Sequence, residues 1–565
     1  MAFDKYEYRR PDMDTWSREF SQLLDNLDSA DSAQAQSQAI SGINKLRKSY
    51  VTMSTLAFIG HTQDVTDNFY LGEKKFFDSV SPTYQQMTNK YYAALSNSRF
   101  KGELEPQWGT HLFRLAESSL ATFSPEVSAD IKKENELSGK YMGLIASSKV
   151  PFEGKELNIM ELMPHMESKD RDTRRAAHQA YAGVLAANEQ QLDQLYHDLV
   201  SVRTDIARKL GFDNYVGLGY ARLQRLGYTP AMVDEFRQQV RQHVVPLLDK
   251  LKQRQAKRLG VDSLKYYDED LKFSSGNAAP QGGPREIIEN SKKMYREMSP
   301  ETDEFFQFMM SNDLLDIIDR DNKAKMGYCT LIPDYQAPFI FACLNGTAYD
   351  ASVVTHEAGH AFQNYCNRGF EVYEYANPTA EAAETHAIAM EMFAWPWLEL
   401  FFGPQADKYK FAQINDAITY NLAMCVMGDE FQTWVYQHPE ATPGERKAKW
   451  QELEKIYWPY RDNADNDLYS RGGFWFRFPH FFQFPLYLID YALAQICAFQ
   501  FFAKAQQDRQ QAWADYVNLC KAGGSLPFDD LLVVANLKSP FEGGCVQWAL
   551  EPIARWLDTV DDRQF

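Results

Sequence analysis

No cysteine occurs before residue 329, and the seven that follow, from Cys329 to Cys545, form no CxxC pair. A set that is odd in number and dispersed does not make a disulfide framework; it fits reduced thiols in a cytosolic setting. Cysteine is also a common core residue, so inert burial is the expected role of most of them. No run of about 18 apolar residues occurs anywhere, which argues against a membrane span. The opening MAFDKYEYRRPDMDTW lacks the apolar stretch of a secretory leader, so the expected location is cytoplasmic. Positive charge is also short: 59 Lys and Arg face 77 Asp and Glu, a formal net charge of −18. Phosphate binding needs a basic surface, so nucleic acid is not an expected partner. Solubility is the plain explanation of the acidity, with a cleft attracting cations or peptide amino termini as the alternative. No internal repeat of fixed period is present.

What the chain does have is apolar mass. Its 565 residues are 45% hydrophobic and 14% aromatic, enough for a large core. Segments 70–96, 125–146, 170–210, 230–259 and 284–298 carry apolar residues at three- and four-residue spacing, the helical period. Residues 150–161, VPFEGKELNIME, suggest a short hairpin turning near Gly154. The stretch 275–284, SGNAAPQGGP, is a loop and suggests a division into an N-terminal helical region, 1–280, and a second region, 281–565, with one continuous domain as the alternative. A second β signal lies at 326–346, with runs at Cys329–Ile332 and Pro338–Leu344 separated by Pro-Asp-Tyr-Gln. The expected fold is therefore mainly α, with a small sheet just before the main motif.

That motif is His356-Glu357-Ala358-Gly359-His360. Residues four apart share a helix face, so His356 and His360 can offer two imidazole nitrogens to one ion. Glu357 sits about 100° around the axis. It is poorly placed as a third ligand but can reach a water molecule there, which is the arrangement of a thermolysin-like zinc hydrolase. Thr347 and Asp350 have the spacing of a capping box that would start the helix. Gly359 costs about 1 kcal/mol relative to Ala inside a helix, which a close approach of another backbone would explain. A catalytic zinc site needs a third protein ligand. The acidic candidates downstream are Glu371, Glu374, Glu381, Glu384 and Glu391. Asn377-Pro378 reads as the start of a helix that ends near Trp395 and Pro396. On it Glu384 and Glu391 share a face, so Glu384 could bind the metal while Glu391 orients a ligand histidine. Spacing alone does not choose between Glu381 and Glu384. His386 points about 200° away from Glu384 and reads as a core or hydrogen-bonded histidine.

At this point the chain resembles the thimet oligopeptidase and oligoendopeptidase F family, and within it the bacterial Pz-peptidase group. The resemblance rests on the HEAGH helix, a glutamate helix and a C-terminal His/Tyr segment, and it is densest from Gly327 to Ala498. The family's third ligand begins a Glu-x-x-x-x-x-x-Glu pattern. Glu384 to Glu391 matches it; Glu381 does not, because residue 388 is Ile. In WFRFPHFFQFPLYLIDYALA, 475–494, His480 and Tyr487 resemble the residues that stabilise the reacting carbonyl, and Tyr491 resembles a substrate-contacting tyrosine. The His480–Tyr487 spacing is two residues longer than in the thimet branch. Without the resemblance, Tyr487 and Tyr491 are an i, i+4 aromatic pair of the kind that usually packs a core. The resemblance also implies that Phe339–Asn345 is a sheet edge that pairs with extended substrate. Phe341, Ala342, Cys343, Asn345 and Gly346 are the substrate-binding candidates.

The resemblance implies an elongated helical body enclosing a deep cleft, one zinc ion per chain, and a cytoplasmic endopeptidase. Its substrates would be oligopeptides, including collagen-derived Pz-type peptides, and folded proteins would be excluded by size. The ligand set His356, His360 and Glu384 also suits cobalt or manganese. Two other readings are weaker. Zinc aminopeptidases often carry GxMEN upstream of HExxH, where this chain has FACLNGTAYDASVV; a carboxypeptidase would need a cationic terminus pocket that no signal marks. A peptide-binding protein that has lost catalysis conflicts with the intact set of roles.

Overall fold

Apolar residues at helical spacing settle into two cores in the computed structural model, which describes residues 1–565. The smaller core belongs to the first helices. Trp16, Phe20, Leu24 and Leu27 line one face of Met13–Ser29 and meet Ile40 and Ile43 of Ala33–Gln63, Tyr91 and Leu95 of Asn68–Ser96, and Leu112 of Thr110–Ala121. Asp12, Ser32 and Asp67 cap the first three of these helices by accepting backbone N–H groups, each worth about 1 kcal/mol. The larger core runs from Leu56 to Leu557 and crosses residue 280 without a break. The irregular loop at 275–284 therefore joins two parts of one core. No helix is long and apolar enough to cross a membrane. All seven cysteines are unpaired.

The helical expectations are met with local refinements. Segment 170–210 is two helices, Arg171–Ala187 and Glu189–Lys209, interrupted at Asn188. Segment 230–259 runs on through a π-helical stretch at Val240–Val244. The hairpin forms from β1, Val150–Phe152, and β2, Lys155–Leu157. Its two turn residues, Glu153 and Gly154, have φ of 48° and 76°, as a tight two-residue hairpin requires.

The second sheet has three strands: β3, Leu315–Asp316; β4, Tyr328–Ile332; and β5, Ala337–Phe341, in the order β3-β5-β4. β4 is antiparallel to β5 and β3 is parallel to it. This corrects the expected edge at Phe339–Asn345. β5 is the central strand, and the N–H groups of Ile340, Ala342 and Leu344 donate to the carbonyls of Leu314, Asp316 and Ile317. A two-residue strand is too short to show a period, which is why the sequence conceals it.

The motif helix runs from Tyr349 to Asn367, with a π-helical stretch at Val353–Glu357. The expected capping box does not form. The Asp350 carboxylate instead accepts the N–H groups of Asn345 and Gly346, both at 2.8 Å, which closes the turn after the sheet. The next helix, Ala380–Phe393, begins two residues later than the Asn377-Pro378 start, with Thr379 at its cap. The Asn377 carbonyl packs against Gly524 instead, where a Cβ would come within 2.8 Å of it.

Candidate active site

The motif helix packs on β4 and β5 and against Ala380–Phe393. Gly359 sets the second contact. A Cβ there would lie 2.6 Å from Ala387 Cα and 2.8 Å from the His386 carbonyl oxygen, closer than atoms can pack. The missing side chain lets two helix backbones touch, and this brings the histidines against Glu384. The ligand atoms of His356, His360 and Glu384 all lie within 4.8 Å of one another. His356 Nε2 is 3.5 Å from Glu384 Oε2, and the two imidazole planes meet at 85°. Glu384 Oε2 is buried and receives no hydrogen bond. A carboxylate oxygen with no proton donor, facing imidazole nitrogens, is suited to a cation, and two nitrogens with one oxygen match the ligand set of a three-ligand catalytic site. The residues therefore fit a divalent metal.

The other glutamates lie outside that cluster. Glu371 accepts from Ser41, and Glu374 pairs with buried Arg47 at 2.7 Å and accepts from Tyr92. Both contacts tie the connection between the two helices to the first helical unit. Glu381 is buried with neither carboxylate oxygen hydrogen-bonded; burial raises its pKa, and the charge of Arg225 offsets only part of the rise. Glu391 Oε1 accepts from His356 Nδ1 at 2.7 Å, which leaves Nε2 directed at Glu384. Its other oxygen accepts from Gln413 Nε2 at 2.7 Å, and Trp395 Nε1 donates to Gln413 at 2.8 Å. Such outer contacts fix imidazole orientation and raise ligand basicity. Gln413 carried no sequence signal, because a single glutamine on a separate helix has no spacing relation to Glu391.

Burial disfavours charge on His356, but the hydrogen bond and charge of Glu391, with Glu384 and Glu357 nearby, outweigh it and raise its pKa to about 9. Burial and the neighbouring His356 hold the His360 pKa well below the usual range, which favours the neutral imidazole. Glu357 accepts no hydrogen bond from the protein, and burial raises its pKa against the pull of His356, with Glu384 and Glu391 adding to the rise. A more basic carboxylate is a better proton acceptor. His386 is fully buried and pushed down to about 4 by desolvation, as a core histidine.

His480, Tyr487 and Tyr491 form a ring cluster, with centroids 6.3 Å apart for His480–Tyr487, 6.0 Å for His480–Tyr491 and 5.3 Å for Tyr487–Tyr491. The Tyr487 hydroxyl makes a long contact of 3.4 Å to Glu384 Oε1, which places it beside the metal position. Burial, with the charge of Glu384, raises the Tyr487 pKa, so the phenol keeps its proton. Burial lowers the His480 pKa, and its Nδ1 is buried without a partner. Leu486, just before Tyr487, has φ of 65°. A leucine in this left-handed region costs roughly 1–3 kcal/mol and persists only where its surroundings enforce it. Tyr487 and Phe484 also line a cavity of about 530 Å³, together with Gln85, Asn89 and Phe123.

The substrate-strand candidates divide. Phe341 and Ala342 are fully buried, and the Ala342 carbonyl accepts from Lys323 Nζ at 2.6 Å. Cys343 is partly exposed, while Asn345 and Gly346 donate their N–H groups to Asp350.

A helical body in which an HExxH helix and a glutamate helix converge on one metal position defines a metallopeptidase. The chain belongs to peptidase family M3: the family's main model matches residues 164–279 and 290–547, and the Peptidase M3 N-terminal domain matches residues 3–123. Among solved structures it is similar to one described as an oligoendopeptidase F, at 49% identity and TM-score 0.92, with both chains covered fully. It is also similar to Pz peptidase A with a bound inhibitor, at 48% identity and TM-score 0.92 over 99% of this chain and 100% of that one. A third, an oligoendopeptidase F from Bacillus anthracis str. Ames, shares 47% identity at TM-score 0.88 over 100% of this chain and 99% of that one. No curated protein sequence matches it. The chain is a metalloendopeptidase.

Proposed function

We propose that the protein is a zinc endopeptidase that cuts short oligopeptides internally, with His356, His360 and Glu384 as the metal ligands. The observation that carries this reading is the convergence of those three ligand atoms within 4.8 Å, with Glu357 beside them and free of protein hydrogen bonds. Bound zinc supplies Lewis acidity for the scissile carbonyl and for the attacking water. Glu357 takes the proton of that water as general base and returns it to the departing amine nitrogen. The Tyr487 hydroxyl and His480 donate hydrogen bonds to the carbonyl oxygen as it gains negative charge. Tyr491 contacts the substrate beside them. Glu391 holds the His356 ring. Because β5 is enclosed and the N–H groups of Leu344, Asn345 and Gly346 are already taken, backbone pairing with the substrate falls to Cys343. No acyl-enzyme is required, so no serine or cysteine enters the reaction.

Similarity to oligoendopeptidase F and Pz peptidase A supports oligopeptides as substrates, with collagen-derived peptides of the Pz type among them. The seven unpaired cysteines support a reducing, cytoplasmic location. The test is a short peptide blocked at both ends. An internal cut that depends on zinc is expected; cleavage only after one end is unblocked would replace this reading with an exopeptidase.

A further inference from the structure

Behind the tyrosine segment lies a buried ion pair that the reaction does not use. The Arg225 and Asp490 side chains are 0% and 1% exposed and meet at 2.6 Å. The Nη2 that donates to Asp490 Oδ1 also donates to the Leu486 carbonyl at 2.7 Å. Leu486 is the left-handed residue immediately before Tyr487. Two further contacts fix it. Its N–H donates to Gln432 Oε1 at 3.0 Å. Its buried side chain lies over Gly219, where a Cβ would come within 2.6 Å of Leu486 Cδ1. The guanidinium is itself held over the rings of Tyr220, at 4.8 Å, and Tyr228, at 5.9 Å. Glu381, one helical turn before Glu384, is a second buried carboxylate whose charge acts on Arg225 without hydrogen bonding to it.

We infer that Arg225 is a positioning residue for Tyr487: its bridge between the Leu486 carbonyl and Asp490 holds the left-handed turn that aims the phenol at the metal position. The inference rests on the role proposed above for Tyr487. A left-handed leucine relaxes once its restraints go. Asp490 lies three residues after Tyr487 at the start of the same helix, so one donor fixes the turn on both sides of the phenol. Lysine keeps the charge but lacks the planar, multi-donor head, so R225K should weaken the bridge while leaving Asp490 with a cation.

A double-mutant cycle on the zinc-loaded enzyme tests this, with kcat and KM for an end-blocked peptide, metal content and Tm as readouts. Y487F is expected to lower kcat about a hundredfold to a thousandfold with little change in KM, as loss of one donor to a developing oxyanion does. R225K is expected to lower kcat about tenfold or more with zinc retained. The double variant should match Y487F alone, because the aim of the phenol no longer matters once its oxygen is gone. A double loss equal to the product of the single losses, or R225K with wild-type kcat, would overturn the role of Arg225 alone. Y487F with wild-type kcat would overturn the reading of Tyr487, and Arg225 would fall with it. If R225K does not accumulate as folded protein, D490N runs the same cycle: its loss too should vanish in the Y487F background, and an additive loss refutes the bridge.

Discussion

His356, His360 and Glu384 stand on two helices that touch where Gly359 lacks a side chain, whereas Tyr487 stands on a turn whose preceding leucine is held in a left-handed conformation. On the metal side, helix periodicity alone puts the two histidines on one face, and one close backbone contact supplies the rest. On the carbonyl side nothing local favours the geometry. Leu486 is restrained by Arg225, Gln432 and Gly219, none of them its neighbours in sequence. Groups that must bind an ion gain from rigid, repeating elements. A donor that must meet charge developing in a transition state is placed by a local conformation that the rest of the fold enforces.

The contrast can be broken on its metal side first. E357Q keeps the shape of the proton acceptor and removes its basicity; kcat should fall by about a hundredfold to ten-thousandfold while zinc content stays at the wild-type level. Unchanged turnover in a zinc-loaded E357Q enzyme would remove Glu357 from the reaction. A smaller effect is expected from E391Q, which leaves His356 without its carboxylate partner. Zinc affinity should weaken by about 10–100-fold in a competitive chelator titration, and kcat at saturating zinc should change far less. G359A sharpens the comparison from within the fold. Its methyl group must push the two helices apart, at roughly 1–3 kcal/mol, seen as a lower Tm together with weaker zinc binding. A G359A protein with wild-type Tm and zinc affinity would show that the helix contact does not set the site.

The same contrast explains what could be read from the chain and what could not. The HExxH helix, the helical segments and the Glu153-Gly154 hairpin follow from period and turn chemistry, which are local. Spacing does not separate Glu381 from Glu384, because both fall on one helix within a turn of each other; only the partner helix, whose histidines meet Glu384, distinguishes them in space. The Thr347–Asp350 cap failed because the carboxylate was drawn into the turn at Asn345 and Gly346. The edge that the resemblance implies at Phe339–Asn345 is covered by Leu315–Asp316, a strand too short to announce itself in the sequence. Gln413 and Arg225 act through contacts 22 and 261 positions away in sequence, and no periodicity reaches that far.

The most direct test is the zinc content of E384Q measured beside E381Q, two substitutions of like size on the same helix. Zinc should be lost from E384Q and kept at the wild-type ratio in E381Q. Full zinc in E384Q would contradict the account of the site.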